Sequence, residues 1–524
     1  MKKIFTIASV LLATCIGAGA QTMYDAINYS ENNYVGTARS AALGNAMTAV
    51  GGDLGSVGIN PAGAAVAGYS TFTITPGISI STTKATYAPE AYGTVTSSSR
   101  MNQSRFHLPN LGVMLNFDTG QKYGMKNITV GFLSNMTNIY SDKMSITGTN
   151  RNTSMMGESA YFSSGIPCTA IAGSSAYETT SYAWTDILAY NAGFIAPFGG
   201  SDVNYVGANE VIFDDGTIGL GGPIDQSYFR RHTGSKSDIV INTAMNFSDK
   251  LYIGFNIGLP SIKFAESLNK TETAVNSADF PLILDDMETR WLNGRQRYTL
   301  ETNATGLYGK AGIIWLPIDG LRLGAAIQTP TIFSVNERWI WDAICNFDGI
   351  NSSLYETPVG DYTYNITTPF SFNLGAAYTL GDFALVSADW ERTDFKSMRF
   401  SEENGGFGND PFYEDNQYIY NNAGVTDHLR FGLELRPTET LALRAGYARK
   451  QYKEASFTDV TSVFSGGFGY SSNGSFFMDC ALRYNKYPEN WFYPYEDYLD
   501  EVKSPEINIA KNAVELIFTF GWRF

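Results

Sequence analysis

Hydrophobic and polar positions alternate with a period of two along much of this chain. From Val514 to Phe524, one alternate set reads Val514, Leu516, Phe518, Phe520, Trp522 and Phe524, and the other Glu515, Ile517, Thr519, Gly521 and Arg523. Successive side chains of a strand point to opposite faces, so one face here is apolar and aromatic and the other largely polar. The same pattern sets Leu251, Ile253, Phe255, Ile257 and Leu259 against Tyr252, Gly254, Asn256 and Gly258. It sets Leu321, Leu323, Ala325 and Ile327 against Arg322, Gly324, Ala326 and Gln328, and Leu429, Phe431, Leu433 and Leu435 against Arg430, Gly432, Glu434 and Arg436. Each segment alone matches a half-buried strand of a soluble sheet. Together they predict strands with lipid on one face and a lumen on the other.

The segments fall near 70–80, 108–118, 126–137, 236–247, 251–259, 303–316, 321–329, 369–379, 382–391, 428–436, 441–449, 462–470, 475–485 and 512–523. Short connections, such as 248–250, 317–320 and 437–440, alternate with long ones at 81–107, 138–235, 260–302, 330–368, 392–427 and 486–511. That asymmetry predicts an all-β protein, a transmembrane antiparallel barrel of about 14 strands with short periplasmic turns and long extracellular loops. The strand ending in Phe520, Trp522 and Phe524 resembles the targeting signal of outer-membrane proteins. The resemblance implies the bacterial outer membrane as location, its lipid as surroundings and the barrel-assembly machinery as a partner.

At the other end, Lys2 and Lys3 precede an apolar run, and Ala18-Gly19-Ala20 precedes Gln21. Residues 1–20 therefore read as a secretory signal peptide. Removing them takes two of 36 basic side chains against 51 acidic ones, which moves the net charge from −15 to −17. An acidic chain with no basic cluster is a poor nucleic-acid binder. No apolar run reaches the ~18 residues of a membrane helix. Aromatics at 14% and charged residues at 17% fit a membrane barrel. Beyond Cys15 stand Cys168, Cys345 and Cys480, an odd number that argues against a disulfide framework, although Cys168 and Cys345 fall in loops where pairing stays open.

Residues 21–68 have another character, and the barrel proper is assigned to 69–524. From Ser40 to Thr83 the only charged residue is Asp53, and Ala and Gly abound. Ala38 to Val50 predicts a short helix ended by Gly51-Gly52, and Asn60-Pro61-Ala62-Gly63 a turn. So apolar a segment avoids water, yet Asn45, Asp53, Asn60 and Pro61 bar it from lipid. It is expected inside the barrel, as a luminal hatch in a pore wide enough to need filling.

The sequence Ala41-Ala42-Leu43-Gly44-Asn45-Ala46, then Asp53, Ser56 and Asn60-Pro61-Ala62-Gly63, resembles the hatch of the FadL/TodX family of outer-membrane transporters. Leu443-Arg444-Ala445-Gly446-Tyr447 and Val386-Ser387-Ala388-Asp389-Trp390 resemble its late strands. The resemblance implies uptake of a hydrophobic compound, long-chain fatty acid-like or aromatic. Extracellular loops catch it, a luminal pocket holds it, and hatch movement or a kink in the wall releases it. It marks Asp53, Asn60, Pro61, Ala62 and Gly63 as the gate, and no cofactor is expected. Two features depart from the pattern. Ser56 stands three positions after Asp53, as in the PorV-like shuttle of type IX secretion, and the loop at 138–235 is long. The alternatives are therefore a docking or shuttle protein of a secretion system, or a structural outer-membrane protein.

Inward charges Arg430, Glu434, Arg436, Arg444, Glu515 and Arg523 are expected to form a luminal ladder, in which one arginine is a candidate for a substrate carboxylate. Trp184, Phe194, Phe198, Trp339 and Trp341 are apolar loop candidates for the pocket. Enzymatic function is not expected. His107, His232 and His428 show no metal-protease spacing, and no nucleophile elbow or phosphate loop occurs. Asp285-Asp286 and Glu402-Glu403 read as solvated loop charges, with Ca²⁺ binding the less common alternative. What fills the upper lumen separates the readings: a closed apolar pocket favours transport, and a filled lumen under a loop platform favours docking.

Overall fold

A computed structural model describes residues 22–90, 93–284, 287–403, 410–454, 457–472, 475–499 and 502–524. The proposed signal peptide, Cys15 and Asp285-Asp286 lie outside them. The chain forms a closed antiparallel barrel of 14 strands. These are β1 (Thr71–Ala88), β2 (Ser97–Asp118), β3 (Met125–Asn150), β4 (Ile224–Phe247), β5 (Leu251–Ala274) and β6 (Met287–Ile318). Next, β7 runs Leu321–Gln328 and resumes as Ile332–Phe347, and β8 runs Gly360–Thr367 and then Ser371–Leu380. The circuit continues with β9 (Ala384–Asp394), β10 (Val425–Leu435), β11 (Leu441–Lys453), β12 (Thr458–Ser472), β13 (Phe476–Lys486) and β14 (Glu506–Arg523). β14 closes the barrel by pairing with β1 from Thr71↔Arg523 to Ala88↔Glu506.

The alternation settles as its chemistry demands. On β14, Ala513, Glu515, Ile517, Thr519 and Gly521 are buried, while Val514 and Trp522 are exposed on the outer face. Phe255, Ile257, Leu323, Ile327, Phe431 and Leu433 are exposed in the same way. So large an apolar band on the outside of a closed barrel has lipid as its solvent. Trp522 packs between Phe72 and Phe476, with ring centroids 6.1 and 5.5 Å away, at the rim that carries the short turns.

Every one of the fourteen segments is a barrel strand, but most are only the lower halves of longer ones. The expected loop 260–302 is largely strand, since β5 spans 24 residues and β6 spans 32. At about 3.3 Å per residue, such strands far outrun a hydrocarbon core of about 30 Å. The reason lies in β5. Up to Leu259 the outward set is apolar. Beyond it the outward set reads Ser261, Lys263, Ala265 and Ser267, while Ile262, Phe264 and Leu268 are buried inside. The polarity inverts where lipid gives way to water, so a search for apolar-out strands stops at the membrane edge. The remaining part of 138–235, residues 151–223, folds as short helices and hairpins that cap the barrel around a core of Met156, Ile187, Leu188, Phe194 and Trp291.

Candidate functional site: the luminal segment and its seat

The chain from residue 22 to β1 lies against the inward faces of the strands. Helix α1 (Met23–Ser30) starts from a capping box in which Thr22 and Asp25 bond reciprocally. It enters an apolar layer with Phe264, Phe333, Val335, Tyr364 and Ile366. Below it, α2 is only Ala38–Ala42, and not the longer helix expected to run on to Val50. Gly44 and Asn45 take positive φ (64° and 60°) and end it early. Asn45 is held there by Asn45 Nδ2 donating to Tyr34 O at 2.6 Å and by Ser40 Oγ donating to Asn45 Oδ1 at 2.9 Å.

This irregular backbone needs partners, because buried N–H and C=O groups rarely go unpaired. The wall supplies them through side chains. Asn242 Nδ2 donates to Pro61 O (3.1 Å), Asn256 Nδ2 to Val57 O (2.8 Å) and Lys310 Nζ to Gly58 O (2.8 Å). Arg322 Nη1 donates to Val50 O at 2.7 Å, and Lys236 Nζ to Tyr29 O at 2.8 Å. In the other direction, Thr48 N donates to Asp389 Oδ2 at 2.8 Å and Ala38 N to Thr519 Oγ1 at 2.8 Å.

Glycines let the two backbones meet. A Cβ on Gly312 would stand 1.9 Å from Asn60 Oδ1, on Gly254 2.4 Å from Ala62 N, and on Gly324 2.2 Å from Thr48 O. On Gly446 it would stand 2.2 Å from Gly44 N. These are inward positions of the alternating strands, so the small residues between the apolar ones form a seat for the segment.

Asn60 is the main joint. Its Nδ2 donates to Thr48 O at 2.7 Å within the segment and to Ile313 O at 3.1 Å in β6. Its Oδ1 accepts from Ala62 N at 3.1 Å and caps a 3₁₀ helix, Pro61–Val66. Asn60-Pro61 therefore starts a helix where a plain turn is expected, with Pro at a position that needs no N–H donor. Gly63 serves packing: a Cβ there would lie 2.7 Å from Ser56 Oγ. Asp53 holds the segment to itself. It accepts from Thr37 Oγ1 at 2.6 Å and Gly55 N at 2.8 Å, while Ser56 Oγ donates to Asp53 O at 2.6 Å. Burial pushes the Asp53 carboxyl above the usual carboxylate range, against the opposing pull of Arg39 and the Thr37 hydroxyl.

The inward charges form separate knots. Glu434 binds Arg39 Nε of the segment (2.9 Å), Arg444 Nε (2.7 Å) and Arg436 Nη2 (2.8 Å), and Arg444 reaches on to Asp479 at 2.5 Å. Arg430 pairs with Glu391, and Arg483 with Glu515 at 3.2 Å. Arg523 instead stacks over Tyr69 and Phe477, at 5.1 and 4.8 Å from the ring centroids, and its Nη1 donates to Ser471 Oγ at 3.1 Å. Sequence reading missed Arg39, Lys236, Lys310, Glu391, Asp389 and Asp479, although the alternation places all but Arg39 on the inward set.

The upper lumen is filled. Above α1 lies a second apolar layer of Tyr87, Tyr228, Leu268, Tyr298, Phe492 and Ile509, flanked by Trp339 and Trp341. Phe194 is in the cap core with Trp184 at its edge, and Phe198 is half-buried in the cap. Cavities of about 50 and 30 Å³ lie beside the segment, and a polar vestibule of about 480 Å³ opens at the rim of short turns. The wall itself is interrupted at one level. Pro330 and Pro369 stand in the breaks of β7 and β8, where they supply no ladder donor. Thr331 N donates to Thr368 Oγ1 at 2.8 Å and Thr368 N to Thr331 O at 2.9 Å to bridge the gap. Cys168, Cys345 and Cys480 are free. Among the described residues, no cluster of metal-ligating side chains occurs.

Among solved structures, a Pseudomonas aeruginosa FadL homologue superposes with a TM-score of 0.53 at 11% identity, covering 94% of this chain and 100% of its own. The chain has the FadL fold. The monoaromatic hydrocarbon channel CymD (13% identity, 94% and 99% covered, TM-score 0.47) and the Pseudomonas putida toluene transporter TodX (13%, 93% and 97%, 0.44) are also similar. No protein-family model matches the chain, and no curated protein matches it.

Proposed function

We propose that this chain is a transporter of the FadL/TodX kind in the bacterial outer membrane. In this reading it takes up hydrophobic compounds, fatty acid-like or aromatic, and rests here in a closed state with residues 22–68 as the gate. The observation that carries the reading is the stack of apolar layers from the cap down to α1, ending beside a break in the wall. An apolar solute gains about 0.8 kcal/mol per buried CH₂, so such a column attracts it from water. Small-molecule sites usually hold about 300–1,000 Å³, far more than the cavities of about 50 and 30 Å³ beside the segment, and the vestibule of about 480 Å³ is polar. In this reading room comes from displacing α1 and the segment behind it. The break between β7 and β8, closed by two threonines, is the proposed exit into lipid. Asp53, Asn60 and Gly63 keep the gate rigid, while the Glu434 knot and the glycine seat hold it shut. Phe520, Trp522 and Phe524 remain the proposed handle for the barrel-assembly machinery.

A docking or shuttle role is the second reading, and the filled lumen favours it. The cap exposes Tyr161, Phe162 and Tyr182, and a helix at Tyr413–Asn422 exposes Tyr413, Tyr418 and Tyr420. Uptake of radiolabelled oleate and toluene by cells expressing the chain tests the two. Transport requires uptake above an empty-vector control and a change on deletion of residues 40–63. Uptake at the control level supports docking.

A further inference from the structure

On β11 to β14, β1 and β2 the outward positions line up in rows across the wall. One row reads Tyr447, Phe464, Tyr484, Val514 and Ile80, each directly opposite the next. It crowns the apolar band, with the Tyr447 and Phe464 ring centroids 5.2 Å apart and Phe464, Tyr484, Val514 and Ile80 exposed. Aromatic residues gather at the boundary between lipid and water. Two residues farther from the short turns, the next row reads Arg449, Ser462, Lys486, Asn512, Thr82 and Asn102. Two residues higher again, Lys84 of β1 and Arg100 of β2 stand directly opposite each other. Arg449, Lys486, Lys84 and Arg100 are all exposed.

No carboxylate answers these four cations. Among the described residues none of them forms an ion pair. The outward positions between them are neutral, and Thr82 Oγ1 donates to Asn102 Oδ1 at 2.9 Å. Glu489 lies beyond the end of β13, and Glu506, at the upper end of β14, accepts from the Tyr493 hydroxyl at 3.3 Å. By contrast, Arg338 of β7 and Arg392 of β9 pair with Asp361 at 3.4 Å and Asp427 at 3.2 Å. Like charges directly opposite each other on a sheet repel, so the register of Lys84 and Arg100 calls for a counterion. The surplus is local, because the whole chain carries 51 acidic against 36 basic side chains. Nor does the cap share it. Residues 151–223 hold a single basic residue, Arg151, among acidic ones such as Glu178, Asp202 and Asp215.

An unpaired basic strip directly above an aromatic row fits an amphiphile with an anionic head and apolar chains. The long-loop side of an outer-membrane barrel faces the outer leaflet. We propose that the strip holds the phosphate-bearing headgroup of an outer-leaflet lipid, with its acyl chains along the apolar band below Phe464 and Tyr484. Adjacent strands lie about 4.8 Å apart, so Arg449 and Lys486, two strands apart, stand roughly 10 Å from each other. Their long side chains close on one phosphate over Ser462, where Arg supplies a bidentate fork and Lys a point charge. Lys84 and Arg100 form a second contact beyond Asn512 and Thr82. The site lies on the lipid face and outside the lumen, so it is separate from the proposed gate.

The test uses the full-length protein in detergent and needs no transport assay, so its outcome is independent of the proposed function. Native mass spectrometry follows binding of phosphorylated lipid A and of the same lipid with its phosphates removed. Adducts of the phosphorylated form are expected to persist after the dephosphorylated form is stripped, and excess inorganic phosphate should leave them in place. The preference should vanish in the combined variant Lys84→Gln, Arg100→Gln, Arg449→Gln and Lys486→Gln, with each lost cation weakening binding about fivefold. Lys122→Gln with Lys250→Gln, on the short-turn rim, should keep it. Equal retention of the two lipids, displacement by inorganic phosphate, an unchanged preference in the combined variant or the same loss in the rim variant overturns the site. Heat-modifiable mobility on gels shows which variants are folded. If the combined variant is not, Arg449→Gln with Lys486→Gln decides alone.

Discussion

Arg39 of the luminal segment and Glu434 of β10 meet at 2.9 Å, and the Glu434 side chain is only 1% exposed. Because Glu434 also serves Arg444 and Arg436, it is the shared counterion of segment and wall. Removing one partner of a buried ion pair typically costs about 3–5 kcal/mol, since charge is left uncompensated. Glu434→Gln is therefore expected to release residues 22–70 while the strands persist. Limited proteolysis alongside circular dichroism measures this, and full protection of the segment in the variant contradicts it.

Asn60 acts by hydrogen bonding rather than charge. Asn60→Ala leaves Thr48 O and Ile313 O without this donor and uncaps the helix at Pro61. Stranding the buried Thr48 carbonyl costs about 1–3 kcal/mol, and loss of the cap about 1 kcal/mol. Hydrogen exchange should speed at residues 46–66 and stay slow in β6. Uniformly unchanged exchange would remove Asn60 from its role as the joint.

The glycine seat predicts opposite outcomes for glycines on the inward and outward sets of neighbouring strands. Gly446→Ala places a methyl 2.2 Å from the Gly44 amide, where backbone has to move. Overpacking of this kind typically costs about 1–3 kcal/mol. Gly466→Ala meets its nearest atom at 3.7 Å and is expected to be neutral. Thermal midpoints of the two variants should differ accordingly; equal values would refute close backbone contact at the seat.

Asp53 gives the segment a pH dependence. Burial raises its folded pKa above that of the unfolded chain, so the protonated form is preferred in the seat. The stability it contributes is whole below the unfolded carboxylate pKa and is lost as pH rises through the raised folded value. Asp53→Asn keeps an acceptor for Thr37 and Gly55 without the charge. Protease resistance of the segment should fall from acidic to neutral pH in the wild type and stay level in this variant. Parallel pH profiles would contradict the assignment.

The barrel was legible because lipid imposes one rule on every outward position from Phe72 to Trp522. Above the membrane that rule lapses. Ile262, Phe264 and Leu268 turn inward, and their strand reads as loop. The luminal segment was legible as something neither wet nor lipid-exposed, but not its fold. Gly44 and Asn45 end α2 because the chain has to bend toward β11, a tertiary demand that propensity alone does not carry. The seat was present in the sequence as Gly254, Gly312, Gly324 and Gly446 on the inward set, in positions that otherwise read as mere gaps. Arg430 and Glu434 were legible as inward, while their partners Glu391 and Arg39 come from other strands or from the segment. Arg523 shares the inward set yet lies between Tyr69 and Phe477, a neighbourhood set by tertiary packing that alternation does not encode.

The central claim is that the segment must leave its seat for a hydrophobic compound to pass. Ser465 Oγ of β12 donates to Ala42 O at 3.1 Å, so cysteines at 42 and 465 stand within reach of a short, reducible bifunctional thiol reagent. Cells carrying Ala42→Cys with Ser465→Cys, and Cys480→Ser to remove a competing thiol, are assayed for radiolabelled oleate uptake before and after bridging. The account predicts loss of uptake when the bridge forms and recovery on reduction. Full uptake with the bridge in place would contradict it.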